Sequence, residues 1–255
     1  MQLTLTPLTG LPVIEPGDDL AGLIMAGLRD SDLDLVDGDI LVLAQKIVSK
    51  AEGRLVNLAT VQASVRSQAI SKEVEKDPRL VELILGESNE ILRIRPGAII
   101  VEHRLGFVCA NAGIDHSNVR GPGSEEQEWV LLLPENPDGS AARLRQQLEA
   151  ASGACLGVLI IDSHGRAWRT GTVGMAIGIS GLPGLVDLRG LPDLFGYQLQ
   201  ITQLGAGDEL AAAASLVMGQ AAEGTPVVLV RGFPYPLREG GLGELIRPKD
   251  QDLFR

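Results

Sequence analysis

Gly38-Asp-Ile-Leu-Val-Leu-Ala-Gln-Lys-Ile-Val-Ser-Lys-Ala-Glu-Gly-Arg54 is the stretch around which the rest of the chain reads. It opens as a strand, because Ile40, Leu41, Val42 and Leu43 form a short apolar run behind a Gly-Asp turn. Within a few residues the run turns polar and basic, presenting Gln45, Lys46, Ser49, Lys50, Glu52 and Arg54. An apolar strand that empties into lysines, a hydroxyl and an amide places cations at the mouth of a site. The same letters also fit a buried strand followed by a solvated amphipathic segment, since basic residues ordinarily sit in water.

Composition bounds both readings. The chain has 255 residues, 45% hydrophobic and 22% charged, which describes a globular protein with ample core. One large domain and two intertwined halves both fit this length. The net charge of -11 argues against nucleic acid or an anionic membrane as the main partner. Small anions are not excluded, because local lysines, arginines or metal ions hold them. Cys109 and Cys155 lie in separate apolar runs without C-x-x-C spacing, and they read as buried free thiols of a reducing cytoplasm. No secretory leader pattern and no apolar run of membrane-spanning length is present, so a cytoplasmic protein is expected.

Residues 2–6 alternate as a strand, and Asp18 or Asp19 caps a helix with Leu20, Leu23, Ile24 and Leu28 on its apolar face. Residues 60–75 look helical. Asp77-Pro78 begins a helix that buries Val81, Ile84, Leu85 and Ile91, ended by Pro96-Gly97. Residues 98–102 and 106–110 form a hairpin, and residues 130–133 are a further apolar run. Asp138-Gly-Ser140 caps a helix carrying Leu144 and Leu148. Residues 155–161 read as a buried strand. The glycine-rich stretch 171–184 alternates Val173, Met175, Ile177 and Ile179 with small residues. Its glycines suit either a backbone approach to phosphate or tight strand packing. Residues 198–204 read as a strand, Asp208 caps a last helix, and residues 226–230 form the last core strand. The tail after Gly232 reads as a surface arm. Hairpins mixed with helices predict an α+β fold with mixed, largely antiparallel sheets and flanking helices.

Three polar clusters stand at the ends of these elements: Asn111-Ala-Gly-Ile-Asp115-His-Ser-Asn118, Asp162-Ser-His-Gly-Arg166 and Met218-Gly-Gln-Ala-Ala-Glu-Gly-Thr225. An aspartate at a strand end is held by the sheet while its loop opens to water, which suits a hard cation. Two such aspartates together suit Mg²⁺ or Mn²⁺, ions that keep water or phosphate oxygens among their ligands. Each cluster also fits an ordinary Asx-turn. His116 and His164 read as loop histidines that hydrogen-bond, and His103 as structural. Neither a Walker P-loop nor G-x-G-x-x-G occurs, and the Cys and His residues are not paired for zinc. The chemistry of the residues thus reaches a metal-dependent phosphate-handling site without naming a reaction.

Taken in order, these blocks resemble the coenzyme F420:L-glutamate ligase family, the γ-glutamyl ligases of deazaflavin coenzyme synthesis. Val42-Leu-Ala-Gln-Lys-Ile-Val-Ser-Lys-Ala-Glu-Gly-Arg54 is similar to its signature, and residues 111–118 to its second motif. Asp162-Ser-His-Gly-Arg166, Ala176-Ile-Gly-Ile-Ser-Gly181 and the segment from Met218 to Gly232 follow in order. The resemblance implies a single ligase domain over residues 1–255, built on a fold peculiar to the family, without the C-terminal reductase domain that some relatives carry. It implies a GTP-dependent ligase that adds L-glutamate to coenzyme F420-0, or lengthens the tail of F420-1. The acceptor carboxylate would take the γ-phosphoryl group, giving an acyl phosphate and GDP, and the glutamate amine would then displace phosphate. Mg²⁺ or Mn²⁺, as a pair of ions, with K⁺, is the implied ion set, and a homodimer the implied assembly. The alternatives are a nucleotide- and metal-dependent ligase or kinase for another phosphorylated carboxylate, and a coenzyme carrier without catalysis.

Carried over motif by motif, Asp115 and Asp162 would be catalytic metal ligands, helped by Ser163 and Gln220. Gln45, Lys46, Lys50 and Asn118 would contact the nucleotide. Gly10, Leu11, Pro12 and Val13 would line the same site, with Met218, Gly219, Gln220, Ala221, Ala222, Glu223, Gly224 and Thr225. Arg166 is added as a clamp for phosphate or carboxylate. Gln220 stands where relatives often carry glutamate, so it gives up a charge, and Glu223 is the substitute ligand to consider. Ser163 replaces a common threonine and His164 a frequent asparagine.

Overall fold

The structure is a computed structural model that describes residues 2–121 and 128–252. The chain begins with β1 (Thr4–Pro7) and α1 (Leu20–Asp30). Asp19 caps α1 by accepting from the Gly22 amide at 3.1 Å, and the helix buries Leu20, Ile24 and Leu28. The decisive stretch splits into β2 (Ile40–Ala44) and the short helix α2 (Gln45–Ala51). Ile40, Leu41, Val42 and Leu43 are all fully buried.

β3 (Leu55–Asn57) leads into α3 (Val65–Val74), which starts later than expected because Leu58–Thr60 winds as a tight 3-10 turn. α4 (Pro78–Gly86) is capped by Asp77 and buries Val81 and Ile84, as expected. Leu85 is only partly buried, and Ile91 lies on a strand, β4 (Ser88–Arg95). The expectation of one helical region ending at Pro96-Gly97 is therefore corrected. Pairing with β5 (Ala98–His103) satisfies the β4 backbone, and Pro96-Gly97 is the turn between them, with Gly97 at φ +82°. β6 (Val108–Ala110) completes the expected hairpin, and β7 (Trp129–Leu131) pairs with β3.

α5 (Pro137–Ser152) takes Asn136 as its cap, accepting from Gly139 at 3.0 Å. Asp138, expected as the cap, instead receives the amides of Ile179 and Leu242. β8 (Gly157–Gly165) and β9 (Thr172–Ser180) form a long antiparallel pair. Cys155 precedes β8 and is exposed, against the expectation of burial, whereas Cys109 is buried. β10 (Val186–Asp187) and β11 (Gln203–Leu204) pair at the base of a projecting arm, so most of the expected strand 198–204 is arm rather than strand. α6 (Ala206–Met218) starts from Gly205, and Asp208 lies inside its first turn. β12 (Val227–Arg231) ends the core.

The central sheet runs β1-β12-β2-β8-β9, and among the described residues only β2 and β8 pair in parallel. With the remaining sheets antiparallel, the fold is α+β as expected. One face of the sheet packs Leu41, Leu43, Val158 and Ile160 against α1, α2 and α5. The other packs Ile40, Val42, Leu159 and Val230 against α6. Between α2 and α5 the chain builds a second core from Leu58, Val81, Ile84, Ile99, Val101 and Val130.

The glycine-rich strand serves this layering. A Cβ at Gly174 would collide with the Ala211 carbonyl of α6, and one at Gly178 would lie 2.6 Å from the backbone of Pro137 in α5. Of the two explanations for these glycines, close helix packing is the one the fold uses. The tail after Gly232 is likewise not a free arm. Glu244 accepts from the amides of Gly184 and Leu185 and pairs with Arg238, and Leu242 is buried.

Candidate active site

Sheet register brings the polar clusters to one edge. Pro7 of β1 lies opposite Val228, Val227 opposite Leu43, Ala44 beside Ile161, and Asp162 opposite Met175. The loop after β1 (Gly10, Leu11, Pro12, Val13), the start of α2, the end of β8 and the loop before β12 therefore share that edge. It is also where the parallel strands β2 and β8 present their carboxyl ends, a common place for ligands to bind. Within the first loop, the Leu11 side chain packs toward α1 at Gly27, and Val13 is exposed.

The cations of the opening stretch do not all face water. α2 turns Gln45 and Ser49 fully inward, and Ser49 Oγ donates to Gln45 Oε1 at 2.8 Å. That bond orients the amide, so Gln45 Nε2 donates to Asp115 Oδ2 at 2.7 Å. Lys46 Nζ lies 3.3 Å from Asp115 Oδ1 and donates to the Ser117 carbonyl and hydroxyl, both at 2.9 Å. Lys50 sits one turn further along α2, half-buried, and burial with the Lys46 charge lowers its pKa. Arg54 and Glu52 take structural roles. Arg54 binds Glu87 and the Leu133 carbonyl, both at 2.9 Å, while Glu52 binds Arg143 and Ser140.

Asp115 is held by backbone bonds in both directions with Leu131, so it is an ordered strand-edge residue rather than a free turn. Burial, and then the charge of Asp162, push its carboxyl up to about 6, against the lowering influence of Lys46 and Gln45. Asp162 Oδ2 lies 3.0 Å from His164 Nε2. His164 is buried against Phe107, and Phe107 stacks on His103. Burial drops His103 to about 4, in keeping with a structural residue. Cys109, pushed up to about 12 by burial and by Asp162, is an inert thiol.

The third cluster closes on the other two. Asn118 Nδ2 donates to the Ala221 carbonyl at 2.9 Å, and Ser163 Oγ donates to Gln220 Oε1 at 2.8 Å. Inside the loop, Thr225 Oγ1 donates to the Met218 carbonyl at 2.9 Å, and Gly219 and Gly224 take positive φ. Glu223 accepts from the Ala221 amide at 2.7 Å, so its carboxylate is spent on its own loop. Ala222 is exposed beside it.

Among the described residues, no group of three or more His, Cys, Asp or Glu side chains is arranged to hold a metal. The donors at this edge are a pair of carboxylates, one hydroxyl and one amide oxygen. That all-oxygen set suits a hard cation completed by water and phosphate. Asp115 is raised first by burial and then by the Asp162 charge, and a cation between the two carboxylates would offset both. Arg166 stands apart, lining a separate cleft with His164 and the C-terminal tail. Sequence reasoning missed the hold of Ser49 on Gln45, the Ser117 contact of Lys46 and the contact of His164 with Asp162. The alternation of Asp162 and His164 on one strand was the available signal for the last.

The F420-0:gamma-glutamyl ligase family model matches residues 10–232. The coenzyme F420:L-glutamate ligase of Methanothermobacter thermautotrophicus is 47% identical over 257 residues, covering 100% of both chains. That of Methanopyrus kandleri is 47% identical over 95% of this chain and 93% of its own. The Archaeoglobus fulgidus ligase is 41% identical over 100% of this chain and 97% of its own. With its motifs gathered at one sheet edge and matched across nearly its whole length, the chain belongs to the F420-0:gamma-glutamyl ligase family.

Proposed function

We propose that the protein is a GTP-dependent ligase that joins L-glutamate to coenzyme F420-0 and extends the γ-glutamyl tail from F420-1. The observation that carries this reading is the convergence of Gln45, Lys46, Asp115, Asp162 and the loop from Met218 to Thr225 at one edge of a chain in this family.

A carboxylate is a poor acyl donor, so it must first acquire a leaving group. An oxygen of the acceptor carboxylate attacks the γ-phosphorus of GTP, the bond to the β-phosphate oxygen breaks, and GDP departs. The glutamate amine then attacks the acyl carbon, the C–O bond to phosphate breaks, and inorganic phosphate and one proton leave. Lys46, Lys50, Gln45 and Asn118, with Gly10, Leu11, Pro12 and Val13 and the loop before β12, line the nucleotide side. Asp115 and Asp162, with Ser163 and Gln220, would hold Mg²⁺ or Mn²⁺, which offsets phosphate charge when bound. Gln45 keeps Asp115 oriented, because its own amide is fixed by Ser49. His164 fixes Asp162 in the same manner. K⁺ completes the proposed ion set.

We extend the reading to a homodimer. The arm between β10 and β11 leaves Leu194, Phe195 and Ile201 88–98% exposed, an unusual apolar cost for a surface without a partner.

Purified protein incubated with GTP, Mn²⁺, L-glutamate and F420-0 is expected to yield, by mass spectrometry, a product heavier by one glutamyl unit, with GDP formed in equal amount. Folded protein that gives no mass shift with F420-0 or F420-1 would overturn the reading. GTP turnover stimulated only by another phosphorylated acid would transfer it to that acceptor.

A further inference from the structure

The cleft beside Asp162 shares only His164 with the mechanism above. It has a volume of about 360 Å³ and lies where the turn at Gly106 and Phe107, the ends of β8 and β9, and the C-terminal tail meet. Two arginines, Arg166 and Arg247, line it together with two aspartates, Asp208 and Asp252, and Phe107 and Met175 supply apolar wall. Arg166 Nη1 is buried and makes no hydrogen bond. A buried guanidinium nitrogen left without an acceptor is costly, so the group is expected to meet an acceptor in use, and a carboxylate suits its charge. The tail that brings Arg247 is held by Glu244, whose carboxylate accepts the amides of Gly184 and Leu185.

We propose that this cleft seats the incoming α-amino acid, with Arg166 binding one carboxylate and Arg247 the other. The inference rests on the ligase reading and assigns the amine donor its place. Opposite charges on one wall match a zwitterion: guanidinium groups for carboxylates and the Asp208 carboxylate for the ammonium. A phosphate diester would gain from the arginines but would be repelled by Asp208 and Asp252, and it offers no ammonium in return. The methylenes of a glutamate side chain match Phe107 and Met175. His164 both lines the cleft and touches Asp162, so the cleft opens next to the centre at which the acyl group would be activated. The Arg247 wall lies beyond the family-matched residues 10–232. Donor binding thus draws on a part of the chain that the motifs do not cover.

The test uses the full chain with saturating GTP, Mn²⁺ and F420-0. Arg166→Gln and Arg247→Ala are each expected to raise KM for L-glutamate by about tenfold or more, as for loss of a charge-assisted pair. KM for GTP should stay within about twofold of the parent value, because the arginines lie away from the nucleotide wall. The parent should discriminate against the α-amide of glutamate, and one of the two variants should lose that discrimination. An unchanged glutamate KM in both variants, or a parallel rise in KM for GTP, overturns the assignment. Arg247 is exposed, so its variant tests the cleft even where Arg166→Gln fails to fold. If the parent makes no glutamylated product, the ligase reading fails, and calorimetry with L-glutamate, GDP and Mn²⁺ decides the cleft separately. Saturable binding that weakens in Arg247→Ala keeps the assignment, and absent or equal binding overturns it.

Discussion

Asp115 carries a charge that its surroundings oppose, and its partners show how. Gln45 and Lys46 favour the carboxylate, yet burial and Asp162 outweigh them and hold the carboxyl up at about 6. A carboxyl whose folded pKa is raised is favoured by folding while protonated, and loses that advantage as pH rises through the folded value. In metal-free protein the window runs from the ordinary aspartate value of 3.8 to about 6. Asp115→Asn removes the titration, so relative to the parent the variant should gain about 2 kcal/mol between pH 4 and pH 8. Urea unfolding in the presence of a chelator at the two pH values measures this. A gap between variant and parent that stays constant across the window would show that Asp115 is not raised. Mn²⁺ should reverse the sign at pH 8, because only the carboxylate binds it. The polar residues of the opening stretch were legible one at a time, but their assignment to site or scaffold was not. Gln45 and Ser49, which fitted either a site mouth or a solvated segment, are buried, while Arg54 and Glu52 are taken up by Glu87 and Arg143.

At the scale of elements, apolar periodicity was a sound guide wherever a strand or helix buries one stripe. β2, α1, β9 and β12 follow their patterns because burial acts on side chains that the sequence spells out. β4 escaped because Ser88-Asn89-Glu90 carries no apolar alternation, and its backbone is satisfied by β5, a partner invisible to local pattern. The glycines of β9 were visible but ambiguous until α5 and α6 were placed across them. Gly178→Val should push Pro137 away from the strand and destabilise the protein by about 1–3 kcal/mol or more. Gly165→Ala meets no atom within 4 Å and should change stability little, which makes it the control. Equal urea midpoints for the two variants would contradict close packing as the reason for the glycines.

For the whole molecule, the arm is the feature that the monomer does not explain. Leu194 and Phe195 are 98% and 94% exposed at its tip and belong to none of the buried clusters. Leu194→Ser with Phe195→Ser should convert a dimer to a monomer in sedimentation velocity, without lowering the unfolding midpoint measured on dilute monomer. A parent that sediments as a monomer at micromolar concentration would remove the homodimer from the proposal. No helix among the described residues is long and apolar enough to cross a membrane, so this apolar surface is not part of a helical span.

Local sequence by itself determined the strands and helices with strong apolar pattern, the mixture of hairpins and helices, and the ordered motifs that place the chain in its family. Those properties depend on neighbours within a few residues, or on letters alone. Only the tertiary structure decided which polar groups meet. Gln45 reaches Asp115 across 70 residues, and Asn118 reaches the Ala221 carbonyl across 103. Strand register sets these meetings, as it sets the raised carboxyl of Asp115 and the cleft behind His164. The energies involved, burial and charge–charge interaction, depend on distances that a chain acquires only when its sheet has closed.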